Sequence, residues 1–451
     1  MRGRMAGAGA ALALCAFAAA GAGRADAIAV TEFPLPVESS SPLGIATGPD
    51  GNVWFTEVAG SRIGRVTPAG QVVDFSNGAG VSTGGSKWDI AAGPDGNLWY
   101  TDQSNDVVGR MTPPATGVEF PSGVTPASQG PRGIAAGPDG NLWVAADGGA
   151  IVRLTPAGAP TEFTAGISPG SRPLDIAAGP DGAMWFTEQA GRIGRITTAG
   201  AVTEFSAGIS AGSLPSNIAA GPDGSLWFTE FVGSRIGRIT TAGVVTEFPT
   251  PTAQAQPRSI TVGPDRNLWF TEEAGRRLGR ITTAGAITEY PVTLAAGGRP
   301  VEITAGPGRD LWITTGTGNR VARVRLGPAV TTGAASAITR TGARIAGTVD
   351  PFASSTGYVV EYGRTTAYGS ATASRIVTPS AGPVAVTVPL DRLAPGTRYH
   401  YRLVGSSFGG TTEGADATFT TAGEPRAGAG PGTSSGDRSG PRMRIGRAAL
   451  V

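Results

Sequence analysis

An all-β fold, a seven-bladed β-propeller followed by a C-terminal β-sandwich, is predicted by three observations. The phrase "GPDGNVWFTE" at Gly48 returns in close copies at Gly93, Gly137, Gly179, Gly221 and Gly263, with a worn copy, "GPGRDLWITT", at Gly306. The starts are 45, 44, 42, 42, 42 and 43 residues apart, a period at which each repeat is one four-stranded blade. Beyond the N-terminal leader no segment keeps a 3.6-residue apolar period, which leaves no substantial helix.

The elements follow in chain order. Residues 1–27, "MRGRMAGAGAALALCAFAAAGAGRADA", carry Arg2 and Arg4, then an apolar run from Ala6 to Ala20, then Ala25-Asp26-Ala27. This is the layout of a secretory signal peptide cleaved after Ala27, and it predicts an extracellular product. Cys15 is the sole cysteine and lies in the leader, so the mature chain has neither disulfide nor thiolate nucleophile. No later run is apolar enough to span a bilayer.

Residues 28–327 form the propeller. In the unit from 202 to 243, "VTEF", "SNIAA", "SLWFTE" and "RIGRITTAG" read as β-rich runs separated by turns. Pro-Asp-Gly supplies a fixed φ and then a residue tolerant of positive φ, as a tight hairpin requires. Trp54, Trp99, Trp143, Trp185, Trp227, Trp269 and Trp312 each hold the same place in their repeat, so they are expected to fill the space between packed blades. The seventh unit lacks a final "TEF" strand, and the N-terminal "VTEFP" is expected to supply it and close the ring without an exposed edge. A closed ring needs no partner for its edges, so a monomer is expected.

The chain of 451 residues has a net charge of +2 with acids and bases interspersed, which removes the electrostatic footprint of a nucleic-acid binder. The residues opening each inner strand should ring the channel mouth: Trp88, Asp89, Arg132, Asp175, Asn217, Arg258, Arg299 and Glu302. Opposite charges and an aromatic in a concave mouth predict a ligand site, for a small molecule or an extracellular protein or polysaccharide. Glu57, Asp102, Glu188, Glu230 and Glu272 end the "WFTE" strands and are expected to accept backbone hydrogen bonds from a neighbouring loop.

The stretches "TEFP…QPRSITVGPDRNLWFTE…GRRLGRITTAG" and "ITEY…RPVEITAGPGRDLWIT" closely resemble the virginiamycin B lyase (streptogramin lyase) family, over roughly residues 30 to 326. That resemblance implies opening of the ester of cyclic streptogramin B antibiotics by elimination, with Mg²⁺. It also implies a catalytic histidine in a "PHAI" phrase and a Glu-Pro-His triplet. Arg258 stands at the first histidine, Arg299 at the glutamate and Val301 at the second histidine. The sole histidine, His400, lies outside the repeats. An arginine stays protonated and is a poor general base, so a non-catalytic binding module is expected. The alternative is a divergent lyase or a lactone-opening enzyme with a divalent metal and a mouth carboxylate such as Glu302 as base.

Residues 328–422 change composition, and "LAPGTRYHYRL" resembles a fibronectin type III domain. That resemblance makes Tyr399 a corner residue whose hydroxyl ties a loop to the sandwich. Strand alternation puts Tyr399, Tyr401 and Leu403 toward a core and His400 on the other face. Residues 423–451, rich in Gly, Pro and Ser, are expected to be a disordered tail. The ending "MRIGRAALV" reads like the opening of a further strand segment.

Overall fold

The computed structural model describes residues 28–125, 130–351, 355–378, 380, 383–407 and 410–424. The leader at 1–27 and nearly all of the tail lie outside them. The described chain is all β apart from four three-residue 3₁₀ turns. No helix in it is long and apolar enough to cross a membrane.

Seven antiparallel four-stranded sheets follow one another. Blade 1 runs from an inner strand Pro42–Thr47 through Val53–Glu57 and Arg62–Val66 to an outer strand Val72–Phe75. Blades 2 to 6 repeat this order. Blade 7 combines Ile303–Ala305, Leu311–Thr314 and Arg320–Leu326 with the N-terminal strand Ile28–Pro34. The N-terminal strand pairs in register from Ile28 opposite Leu326 to Pro34 opposite Arg320. The ring therefore closes as the strand count requires.

The recurring phrase is explained residue by residue. Each of the seven tryptophans is nearly or wholly buried, and in the first six repeats the indole N–H donates to the aspartate of its own turn, as from Trp227 to Asp223 at 3.0 Å. The glycine opening the phrase makes room for that ring: a Cβ on Gly221 would sit 2.4 Å from Trp227 Cδ1. The other face of the indole stacks on the outer-strand aromatic, Phe248 in this blade, with centroids 5.6 Å apart. In the worn copy Gly308 replaces the aspartate, and the Trp312 indole N–H has no hydrogen-bond partner.

The threonine of "WFTE" staples neighbouring blades. Its hydroxyl accepts from an inner-strand N–H of its own blade and donates to an inner-strand carbonyl of the next. Thr229 accepts from Asn217 N at 3.0 Å and donates to Arg258 O at 2.8 Å. The ring of staples ends where it began, with Thr314 donating to Leu43 O at 2.7 Å. Blade 3 has Ala145 at this place and lacks the staple.

The strand Ala329–Ser336 begins two residues after the propeller's Gly327. A three-stranded sheet (Ala329–Ser336, Ala343–Asp350, Val384–Leu390) and a second sheet built on Thr356–Gly363 and Arg398–Ser407 share one hydrophobic core. Tyr399, Tyr401 and Leu403 are in that core, and the Tyr399 hydroxyl accepts from Ala394 N at 2.9 Å. His400 is on the opposite side of its strand, paired with Asp416 at 2.9 Å.

The tryptophan's packing should outweigh its single hydrogen bond. Trp227→Ala is expected to cost about 3–5 kcal/mol and Asp223→Ala about 1 kcal/mol. Denaturant midpoints at unchanged slope measure both, and equal losses would contradict this ordering.

Candidate functional site: the propeller mouth

Every inner strand of blades 1 to 6 starts with a register shift. In blade 6 Pro257 pairs with Glu272 and Ile260 with Phe270, leaving Arg258 and Ser259 in a bulge. A bulge frees two residues from the ladder and re-aims their side chains. The same interruption between Lys87 and Ile90, Pro131 and Ile134, Pro173 and Ile176, and Pro215 and Ile218 delivers one pair per blade to the channel.

A cavity of about 260 Å³ lies where these pairs converge. Seven of the eight residues expected at the mouth line it: Trp88, Asp89, Arg132, Asp175, Asn217, Arg258 and Glu302. Arg299 does not. It precedes Pro300 on an exposed loop, with its backbone N–H bonded to Thr315 O, and so lies outside the bulge. Val301, one of the places where the family resemblance implies a histidine, is buried at 6 % exposure.

The second residue of each pair reaches across to the next blade. Asp89 accepts from Ile134 N at 3.0 Å, Asp175 from Ile218 N at 2.8 Å and Asn217 Nδ2 at 2.7 Å, and Asn217 from Ile260 N at 2.8 Å. Gly44 and Gly133 occupy this position in blades 1 and 3, because a Cβ there would meet the Cα of Asp89 or Asp175 within 2.7 Å. These polar side chains therefore hold the ring together as well as lining it.

The charges are arranged in pairs around an acidic floor. Arg132 donates to Asp147 at 2.7 Å, and its guanidinium lies 4.1 Å from the centroid of Trp88, within the range of a cation–π contact. Arg258 lies 3.1 Å from Glu273 and 3.7 Å from Glu302. Burial, reinforced by the Glu302 charge, pushes Asp89 up to about 7. Burial and the charges of Asp89 and Glu302 raise Asp175 well above the usual carboxylate range. Burial also raises Glu302, and Arg258 opposes that rise.

Sequence reasoning missed the apolar side of the mouth, where Leu174, Leu214 and Phe231 line the cavity. Comparing repeat copies would have found Phe231, since the residue after "WFTE" is Val58, Gln103, Asp147, Gln189 and Glu273 in blades 1, 2, 3, 4 and 6. The "WFTE" carboxyls also differ from expectation. Asp102 accepts from the backbone of Asn105 at 3.3 Å, but neither carboxyl oxygen of Glu57, Glu188, Glu230 or Glu272 has a hydrogen-bond partner.

The pH dependence of Asp89 follows from its direction. A carboxyl raised in the folded state supports the fold while protonated, and that support is lost as pH rises from about 4 through about 7. Asp89→Asn keeps the acceptor for Ile134 and removes the titration. It should unfold with a flatter pH profile and gain about 1–3 kcal/mol on the parent at pH 8; identical profiles would refute the assignment.

Comparison with known proteins gives a consistent result. A structure of a streptogramin B lyase is 31% identical, with a TM-score of 0.62, and the match covers 66% of this chain and 98% of that one. Virginiamycin B lyase from Staphylococcus aureus is 32% identical, with a TM-score of 0.61, covering 66% and 99%. A catalytically inactive variant of that enzyme with quinupristin matches equally. The WD40 β-propeller domain of Doa1, at 10% identity and a TM-score of 0.53 over 66% of this chain and 97% of that one, shares the fold alone. A comparison with curated proteins found no match. The model of the virginiamycin B lyase family matches residues 5–168 and 145–338, and with the repeats, the closed ring and the mouth in place, the chain belongs to that family.

Proposed function

We propose that this chain is a secreted member of the family whose propeller mouth binds a ligand without performing the family's elimination. The observation that carries this reading is the set of groups at the family's acid–base positions. Arg258 is ion-paired to Glu273 and Glu302, Arg299 lies outside the cavity, and Val301 is buried. Elimination needs a base to take the proton α to a carbonyl and an electrophile to steady the resulting charge. A permanently protonated guanidinium and an alkyl group cannot supply the base.

The mouth supports binding in other ways. Trp88 under Arg132 offers a planar surface at one side, and Leu174, Leu214 and Phe231 offer an apolar wall. This combination suits a small molecule with an apolar or aromatic part and polar groups. An exposed loop or sugar of an extracellular partner could present the same chemistry. The leader at residues 1–27 supports an extracellular setting.

A second reading, elimination or lactone opening by a mouth carboxylate, is favoured by one observation. Asp89, with its carboxyl raised to about 7, has the basicity that a general base needs near neutral pH. Among the described residues no three His, Cys, Asp or Glu side chains come together so as to hold a metal. The reading therefore rests on Asp89 or Glu302 alone.

Incubating a streptogramin B antibiotic with the purified chain and Mg²⁺, followed by chromatography, separates the readings. Elimination opens the ring without a change of mass, so retention time is the readout. The proposal expects no conversion above a heat-killed control. It also expects saturable binding of a ligand found by screening, weakened about tenfold or more by Trp88→Ala or Arg258→Ala. Conversion that is lost in Asp89→Asn or Glu302→Gln would establish the second reading instead.

A further inference from the structure

Four blades place a glutamate at the end of the second strand, and Glu57, Glu188, Glu230 and Glu272 are all 0% exposed. None of their carboxyl oxygens accepts a hydrogen bond. A second carboxyl faces each from the outer strand of the same blade: Asp74, Glu204, Glu247 and Glu289 respectively. One arginine of the third strand faces both. Arg192 lies 3.9 Å from Glu188 and 3.8 Å from Glu204, and Arg235 lies 3.9 Å from Glu230 and 3.7 Å from Glu247. Arg277 stands beside Glu272 and 3.7 Å from Glu289, and Arg62 stands beside Glu57 and Asp74. Serines of the crossing loop, Ser40, Ser171 and Ser213, face Glu57, Glu188 and Glu230.

The facing glutamates already have donors of their own. Glu204 accepts from Ser168 N at 2.6 Å, Glu247 from Ser210 N at 2.5 Å and Glu289 from Thr252 N at 2.8 Å, and the hydroxyls of the same three residues add a second bond each. One distant arginine cannot neutralise two carboxylates, and a buried carboxylate without donors is costly. Two carboxyls can share a hydrogen bond only if one keeps its proton.

Blade 2 meets the same problem with different groups. Val107 replaces the arginine and Lys87 replaces the proline that opens the inner strand. The Lys87 ammonium is ion-paired directly with Asp102, lies 3.7 Å from Glu119 and donates to Ser82 at 2.9 Å. Asn105 donates to Asp102 at 2.8 Å and Tyr100 to Glu119 at 2.7 Å. Blades 3 and 7 carry Ala146 and Thr315 and have no acid at this position.

We propose that Glu188, Glu230 and Glu272 are proton-binding sites, each holding one proton against the facing carboxylate, and that Glu57 and Asp74, neither of which has a donor, hold one proton between them, so keeping the loop above each pair seated. The loop residue just before the inner-strand proline has a left-handed backbone in these four blades alone: Ser41 at φ 51°, Arg172 at 55°, Leu214 at 59° and Gln256 at 55°. That conformation is strained for a non-glycine residue and persists only where surrounding contacts impose it. Each of these residues accepts a backbone bond from the residue after the buried glutamate, as from Phe231 N to Leu214 O at 3.1 Å. Leu214 lines the mouth and Arg172 pairs with Asp147, which also holds Arg132. Proton loss at the buried sites therefore reaches the residues that shape the mouth.

Burial and the facing carboxylate push Glu188, Glu230 and Glu272 up to about 8, and burial with Asp74 does the same for Glu57. A group raised in this way holds its proton when folded and releases it on unfolding at pH 7, and its support for the fold is lost as pH rises through about 8. The test counts protons released on thermal unfolding of the full chain at pH 7, from calorimetry in buffers of different ionisation enthalpy. The double variant Glu188→Gln/Glu230→Gln, which mimics the neutral form, should release about two fewer protons than the parent, and Glu272→Gln about one fewer. Both should lose less melting temperature than the parent between pH 6 and pH 9. An unchanged proton count in either variant overturns the proposal.

Discussion

The ladder between residues 28–34 and 320–326 is the constraint on which the rest of this structure depends. Seven sheets can face a common axis only if the last is held against the first. Here that contact is a strand exchange within one blade rather than a surface contact between two. The N-terminal strand completes blade 7, and Phe33 stacks on Trp312 at 5.5 Å to finish its core. Thr314 then bonds to Leu43 and fastens blade 7 to blade 1. The mouth is assembled from residues up to 259 positions apart, from Leu43 to Glu302, so it exists only while the ring is closed.

Repetition makes the energetics legible. In each of the first six repeats the glycine, aspartate and tryptophan form one unit, in which the ring takes the glycine's missing side-chain volume and bonds to the turn. Because the phrase is committed to packing, departures from it identify places where another demand acts. Blade 2 is the clearest case. Its inner strand opens with Lys87-Trp88-Asp89 where most blades have proline and a smaller residue, and all three residues are used: one in a buried ion pair, two at the mouth.

In the proposed reading, family membership and chemistry separate at the mouth. The bulge that re-aims Arg258 recurs at the inner-strand start of blades 1 to 6. The groups it delivers are cations locked to carboxylates and an acidic floor of three carboxyls whose charges oppose one another. On that reading such a surface recognises through shape and paired charge, whereas proton abstraction requires a free base.

The sequence by itself determined the blade count, the closure by the N-terminal strand, the burial of one tryptophan per blade and the alternation that separates Tyr399 from His400. These follow from local periodicity and from the need to bury apolar area and pair strand edges, both of which are written in adjacent residues. Seven of the eight mouth residues were legible for the same reason, since a repeat fixes where each inner strand opens. Tertiary structure alone decided which charges pair across blades, as with Asp147 of blade 3 and Arg172 before the inner strand of blade 4. It also decided that Arg299 falls outside the cavity and that Leu214 and Phe231 enter it. The carboxyls of "WFTE" are the sharpest example: their spacing located them, but whether a donor reaches each depends on loops some twenty residues away in sequence. Burial and hydrogen bonding at such sites are set by atoms that only folding brings together, and no local pattern encodes their distances.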